Sequence, residues 1–188
     1  MHTTIPPHAQ MVFEGKFVRV YQWQQEIFDG TNTLFEQIIR VPGTMVFAAT
    51  EDKIIAETEI QPGWEKELLS MPAGTFEGFD DDALERSKAE LMEETGYESD
   101  DWELWKVLKT HGTITLDTYL FIARNCKKTS EPKDDGGEKI SVSLLSLDDF
   151  IDHALEPTFR HQVLRSIFLE LKHDEAFKQD FKKLLFWK

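Results

Sequence analysis

Met71-Pro72-Ala73-Gly74, followed after a short acidic stretch by Ala89-Glu90-Leu91-Met92-Glu93-Glu94-Thr95-Gly96-Tyr97, decides the fold. It joins a short apolar strand, through a proline and a glycine, to an acidic helix that stops on a glycine. Asp80, Asp81 and Asp82 are all good N-caps, and Glu85 stands three residues after Asp82 as in a capping box. The pattern predicts a helix from about Asp82 to Thr95, with Gly96 as its C-terminal stop. Glu90, Glu93 and Glu94 fall at i, i+3 and i+4 and share one face. Like charges at this spacing cost a bare helix roughly 0.2–0.5 kcal/mol per pair. Composition alone favours a solvated acidic face over a site for a hard divalent cation. The glycine turn directly before the helix reverses that order. It lets backbone carbonyls approach a metal and backbone N–H groups face a phosphate.

Working outward, the flanks read as strands. Lys16 to Gln25 and Leu34 to Val41 form a hairpin across the turn signal Asp29-Gly30-Thr31-Asn32. Residues 1–11, with Pro6 and Pro7, read as a loose terminus. Thr44 to Thr50 is almost wholly apolar, as in a strand buried on both faces, and Ile54 to Ile60 follows after a turn. Glu67 to Met71 is the short strand that leads into the glycine turn. Beyond the acidic helix come strands at Trp102–Lys109, Ile114–Ala123 and Ile140–Leu147, the last after an Asp- and Gly-rich loop at 130–139. Helices close the chain at about Asp148–His153, Thr158–Leu171 and Asp174–Leu185. In the second, Phe159, Val163, Ile167 and Leu171 recur every four residues as an apolar stripe. Strands with few helices point to an α+β or α/β sandwich.

The 188 residues suit one ordinary domain, and no apolar run approaches the roughly 20 residues a spanning helix needs. The net charge of −14, from 21 basic and 35 acidic residues, repels nucleic acid and disfavours it as a partner. No membrane partner is expected. A phosphate-bearing small molecule would also be repelled, so its site would need a cation. The one cysteine, Cys126, cannot form an internal disulfide, and the start shows no secretory pattern. The expected location is cytoplasmic. Trp23, Phe28 and Trp64 admit two readings, base stacking or packing, with packing the stronger for each. Trp102, Trp105 and Trp187 read as structural. His153, His161 and His173 show no ligand spacing.

Residues 72–97 resemble the Nudix box, G-x5-E-x7-R-E-U-x-E-E-x-G-U, through Gly74, Glu90, Leu91, Glu93, Glu94, Gly96 and Tyr97. With Leu68, Met71, Pro72, Ala73 and Glu77, the segment is similar to the ADP-ribose pyrophosphatase branch. The resemblance implies an α+β fold of the Nudix type, an α/β/α sandwich with a mixed central sheet and an N-terminal β-hairpin extension. It divides the chain into residues 1–42, a tail and hairpin suited to dimerisation, and a catalytic domain at 43–188. It implies metal-dependent hydrolysis of a diphosphate linkage in a nucleoside diphosphate derivative of ADP-ribose or nucleotide-sugar type, by a homodimer.

Its metal ligands would be Glu90, Glu93, Glu94 and the Ala73 carbonyl, holding Mg²⁺ or Mn²⁺. Glu93 would also assist catalysis, and Gly74, Trp23 and Phe28 would contact substrate. Glu138 occupies the place of a later-loop glutamate that serves as base or extra ligand; an exposed loop acid is the equal reading. Three departures stand out. Ala89 replaces the arginine that orients the catalytic glutamate, and Arg86, four residues before Glu90, is the candidate substitute. The stretch from Gly74 to Glu90 is one residue longer than the pattern, so Asp80 or Asp81 represents the first glutamate. His111 stands where ADP-ribose hydrolases often carry a proline. The alternative to an enzyme is a nucleotide-binding module of the same fold with impaired catalysis.

Overall fold

The computed structural model describes residues 5–110, 112–133 and 137–186; His111 and Trp187 lie outside them. Strands β1 (Gln10–Glu14), β2 (Val18–Glu26) and β3 (Asn32–Arg40) make an antiparallel sheet at the N-terminus. The expected hairpin is β2 and β3, in register from Val18↔Arg40 to Glu26↔Asn32. The loose terminus expected over 1–11 is a strand from Gln10 onward. Met11-Val12-Phe13 has strong strand propensity and finds the free edge of β2.

The main sheet holds β4 (Gly43–Ala48) between β7 (Ala73–Thr75) and β11 (Asp117–Arg124), with β9 (Asp101–Lys109) at the far edge. β4 and β11 are parallel, and the other pairs are antiparallel, so the sheet is mixed. Val46, Phe47, Ala48 and Ala49 are fully buried, as the apolar run predicts. A smaller antiparallel sheet places β5 (Ile54–Ile60) between β6 (Leu68–Ser70) and β13 (Lys139–Leu145). The short β8 (Tyr97–Glu98) pairs with β12 (Lys127–Lys128).

Helix α1 (Ala83–Thr95) packs on one face, where Val46, Ala48, Ile55 and Leu91 form a small core. Helices α2 (Leu147–Ala154), α3 (Arg165–His173) and α4 (Glu175–Leu185) cover the other face. There Phe47, Phe150, Phe159, Phe168 and Phe181 pack largely edge-to-face, the geometry that ring quadrupoles favour. The result is the expected α+β sandwich. Trp105 seals the α4 side, 4.9 Å from the Phe181 ring centroid.

Three local expectations are corrected. The Pro-Ala-Gly segment is not a turn; Ala73 to Thr75 continue as β7 against β4, Thr44 facing Gly74. The strand expected over Ile114–Ala123 breaks at Leu116, because β10 (Ile114–Thr115) pairs with β3 while β11 pairs with β4. The stripe expected from Thr158 is not helical until Gln162. Leu69 bonds on both sides of Phe159, accepting from the Arg160 N–H and donating to the Thr158 carbonyl. Val163, released from the stripe, is exposed, while Phe159, Ile167 and Leu171 are buried.

Candidate active site

Helix α1 is placed by its caps. The Asp82 carboxylate accepts from the Leu84 and Glu85 N–H groups at 2.9 and 3.0 Å. Asp81 anchors the preceding loop by accepting from Glu77 N–H at 2.7 Å and Gly78 N–H at 3.0 Å. At the other end Gly96 adopts φ 74°, and a Cβ there would meet the Ser130 carbonyl oxygen at 2.1 Å. The Gly96 carbonyl accepts from Thr129 and Ser130, which fixes the following loop against the helix end. Mid-helix, the Thr44 and Ser87 hydroxyls are bonded to each other, locking α1 to β4.

These restraints put Glu90 and Glu94 on the buried side of α1 and Glu93 on the exposed side. The three line a cleft of about 690 Å³, together with Ala73, Gly74, Arg86, Glu138, Arg160 and His161. That volume is ordinary for a small-molecule site. The Glu90 carboxylate lies directly on Gly74; a Cβ added there would sit 1.6 Å from Glu90 Oε1. Gly74 is therefore required for space, not for a special backbone angle. Arg86 Nη2 reaches Glu90 Oε1 at 2.5 Å. Ala89, at the position of the missing arginine, faces a shallow outer pocket with Glu85 and Arg86. Glu94 Oε2 accepts from the Ala73 N–H at 2.9 Å.

A second acidic element comes from β5. Glu57 and Glu59 are each 1% exposed. Glu59 is ion-paired with Arg160, whose guanidinium also lies 5.5 Å from the Trp64 ring centroid. Gln61 donates to both Glu59 (2.5 Å) and Glu138 (2.6 Å), tying the later loop to this strand. Glu57 Oε1 is buried with no hydrogen-bond partner.

Burial, then the Glu59 charge, pushes the Glu57 carboxyl up to about 8. Glu94 is held well above the ordinary carboxylate range, first by burial and then by the Glu57 charge. Burial raises Glu90 too, against the opposing Arg86 charge. His161, 3.0 Å from the Ser70 hydroxyl, is pushed down to about 3 by burial and the Arg160 charge. It is neutral at pH 7.

Carboxyl groups gathered this way suit a hard divalent cation, and Glu57 Oε1 is a buried polar atom with no hydrogen-bond partner. Among the described residues, no group of three His, Cys, Asp or Glu side chains is already assembled to hold an ion. Arg86 and the Ala73 N–H engage Glu90 and Glu94, each through one oxygen. Trp23 and Phe28 are not among the residues lining the cleft. Trp23 is buried against Phe35 and donates to Gln25, while Phe28 is fully exposed on the hairpin turn.

Sequence reasoning missed Glu57, Glu59, Arg160 and His161. The available signal was Glu57-Thr58-Glu59, two acids at alternate positions inside a strand that is apolar at both ends.

No family model and no curated protein match the sequence. A crystal structure of an ADP compounds hydrolase matches with a TM-score of 0.71 and 18% identity, covering 94% of this chain and 95% of that one. At that identity the likeness is one of fold, and it runs through essentially the whole chain.

Proposed function

We propose that this chain is a Nudix-type hydrolase that cuts the diphosphate linkage of a small nucleoside diphosphate derivative, with Mg²⁺ or Mn²⁺ in the cleft. One observation carries the reading: Glu90, seated on Gly74 and clamped by Arg86, stands beside Glu94 in a buried acidic cleft. The fold match to a hydrolase of ADP compounds supports the substrate class. Derivatives of ADP-ribose or nucleotide-sugar type are the candidates.

Glu90, Glu93, Glu94 and the Ala73 carbonyl would hold the cation. When bound, it neutralises diphosphate charge and makes water a better nucleophile at neutral pH. The protein's own groups do the positioning. Arg86 orients Glu90 from one helical turn away, taking the role left open at Ala89. The Ala73 N–H fixes the Glu94 carboxylate. Glu138, which accepts from Gln61 at the cleft, would take a proton from the attacking water. Arg40, Lys133 and Arg160 line the same cleft and counter the charge of an anionic substrate in an acidic protein. The N-terminal sheet exposes Met11, Val12, Phe13 and Leu34, which suits pairing with a second copy; light scattering at the mass of one chain would reject the dimer.

The test is a panel of ADP-ribose, nucleotide-sugars and dinucleotides with Mg²⁺ or Mn²⁺, read by chromatography. The expected result is release of a nucleoside monophosphate that disappears with EDTA and in Glu94→Gln. Binding without turnover across the panel would make the chain a nucleotide-binding module instead.

A further inference from the structure

On the face of β5 that carries Ile55, which packs with Leu91 of α1, Glu57 and Glu59 follow at alternate positions, and Gln61 continues the alternation one residue past the strand end. Two of the three polar groups are matched. Gln61 bridges Glu59 and Glu138, and Glu59 takes Arg160. Glu57 alone holds a buried oxygen without a partner. Its cross-strand neighbours offer none. Val142 has no polar side-chain atom, and the Ser70 hydroxyl is engaged with His161 and the Met71 carbonyl. Glu57 is also the strongest charged neighbour of Glu94, and it acts on Glu90 as well. Unpartnered buried polar atoms are rare in folded proteins, and those that occur call for a missing water, ion or functional role.

We infer that Glu57 is a further member of the divalent-cation site, a carboxylate supplied by β5 that faces the Glu90–Glu94 edge of α1 and completes its donor set. The inference rests on the reading of this cleft as a cation site. It adds a residue that lies outside the glutamate helix and its glycine turn. Two elements far apart in sequence would then close on one ion. Glu57 acts there either as a direct ligand or by orienting a bound water, and both require its free oxygen.

Mn²⁺ titration of the full chain, followed by the electron paramagnetic resonance signal of the free ion, tests this without any substrate. Wild type should bind. Glu57→Gln, nearly identical in shape, should weaken the affinity at least tenfold while melting in EDTA close to wild type, since the amide keeps the shape of the carboxyl and adds no charge. Glu94→Gln should weaken binding too, and Glu85→Gln, an exposed acid outside the main cleft, should not. Wild-type affinity in Glu57→Gln alongside weakened binding in Glu94→Gln would overturn the role of Glu57 and leave the cation site standing. Failure of the wild type to bind Mn²⁺ would overturn both. Should Glu57→Gln not fold, Glu57→Asp takes its place; it withdraws the carboxylate by one methylene, and an affinity equal to wild type would overturn the inference.

Discussion

Gly74→Ala is the substitution on which the site geometry commits itself most fully. An added Cβ would stand 1.6 Å from Glu90 Oε1, 2.0 Å from Cδ and 2.7 Å from Cγ, all far inside contact distance. The Glu90 side chain must therefore leave Gly74, and in leaving it gives up the 2.5 Å contact with Arg86. Breaking a buried pair of this kind costs about 3–5 kcal/mol. The backbone of Gly74 is not left-handed, so alanine also restricts the unfolded chain and returns about 0.4–1 kcal/mol. The net loss is about 2–4 kcal/mol. For a chain of this size that corresponds to a fall in Tm of roughly 5–15 °C. Calorimetry in EDTA reads the stability, and repeat scans in excess Mn²⁺ read the site. Wild type should gain more from Mn²⁺ than Gly74→Ala does. Adding Glu90→Ala to Gly74→Ala should give a positive coupling, because the Cβ then has room. A Gly74→Ala protein that melts at or above wild type, with the same response to Mn²⁺, would refute the placement of Glu90 over Gly74.

Other outcomes follow from the same contacts. Arg86→Met removes the cation beside Glu90, and kcat should fall about 10- to 100-fold, as for other lost partners of metal-site groups, with a smaller effect on KM. Gly96→Ala forces alanine into a left-handed angle and drives its Cβ to 2.1 Å from the Ser130 carbonyl; urea titration should show a loss of at least about 2 kcal/mol. His161 predicts an acid limb. Its folded pKa of about 3 lies below the ordinary 6.5, so between those values the unfolded chain binds a proton that the folded chain refuses. The His161 contribution to stability should be whole above pH 6.5 and fall as pH drops, opposite in sign to that of the raised carboxyls Glu57 and Glu94. The loss is about 1.4 kcal/mol by pH 5.5 and about 4–5 kcal/mol at most by pH 3. His161→Gln should flatten that limb, and an unchanged slope would show that His161 is not buried as a neutral ring.

What could be read from sequence divides by the range of the interactions involved. The limits of α1 were legible, because Asp82 and Gly96 are local signals that act within one turn. The burial of β4 was legible for the same reason, since Thr-Met-Val-Phe-Ala-Ala-Thr leaves no polar face to expose. The acids at 90, 93 and 94 marked a helix face, and their spacing required no tertiary knowledge. Glu57 and Arg160 were not legible as a site. Arg160 is held at the cleft by the 158–160 segment, where Phe159 bridges to Leu69 across ninety positions, and the β5–β6 pairing sets Glu57 opposite Ser70, thirteen positions on. The same bridge explains Val163, whose periodic spacing suggested a helix that the sheet edge had already claimed. Trp23 shows the converse limit. An aromatic in a strand carries no local sign of whether it meets a base or another ring, and here it meets Phe35.

The most direct test is anomalous diffraction from a crystal soaked in Mn²⁺ with a non-hydrolysable ADP-ribose analogue. A manganese peak joined to Glu90 and Glu94, with the analogue's diphosphate against it, is the predicted result. A diphosphate bound elsewhere, with Glu90 still closed on Arg86 and no peak between α1 and β5, would contradict it.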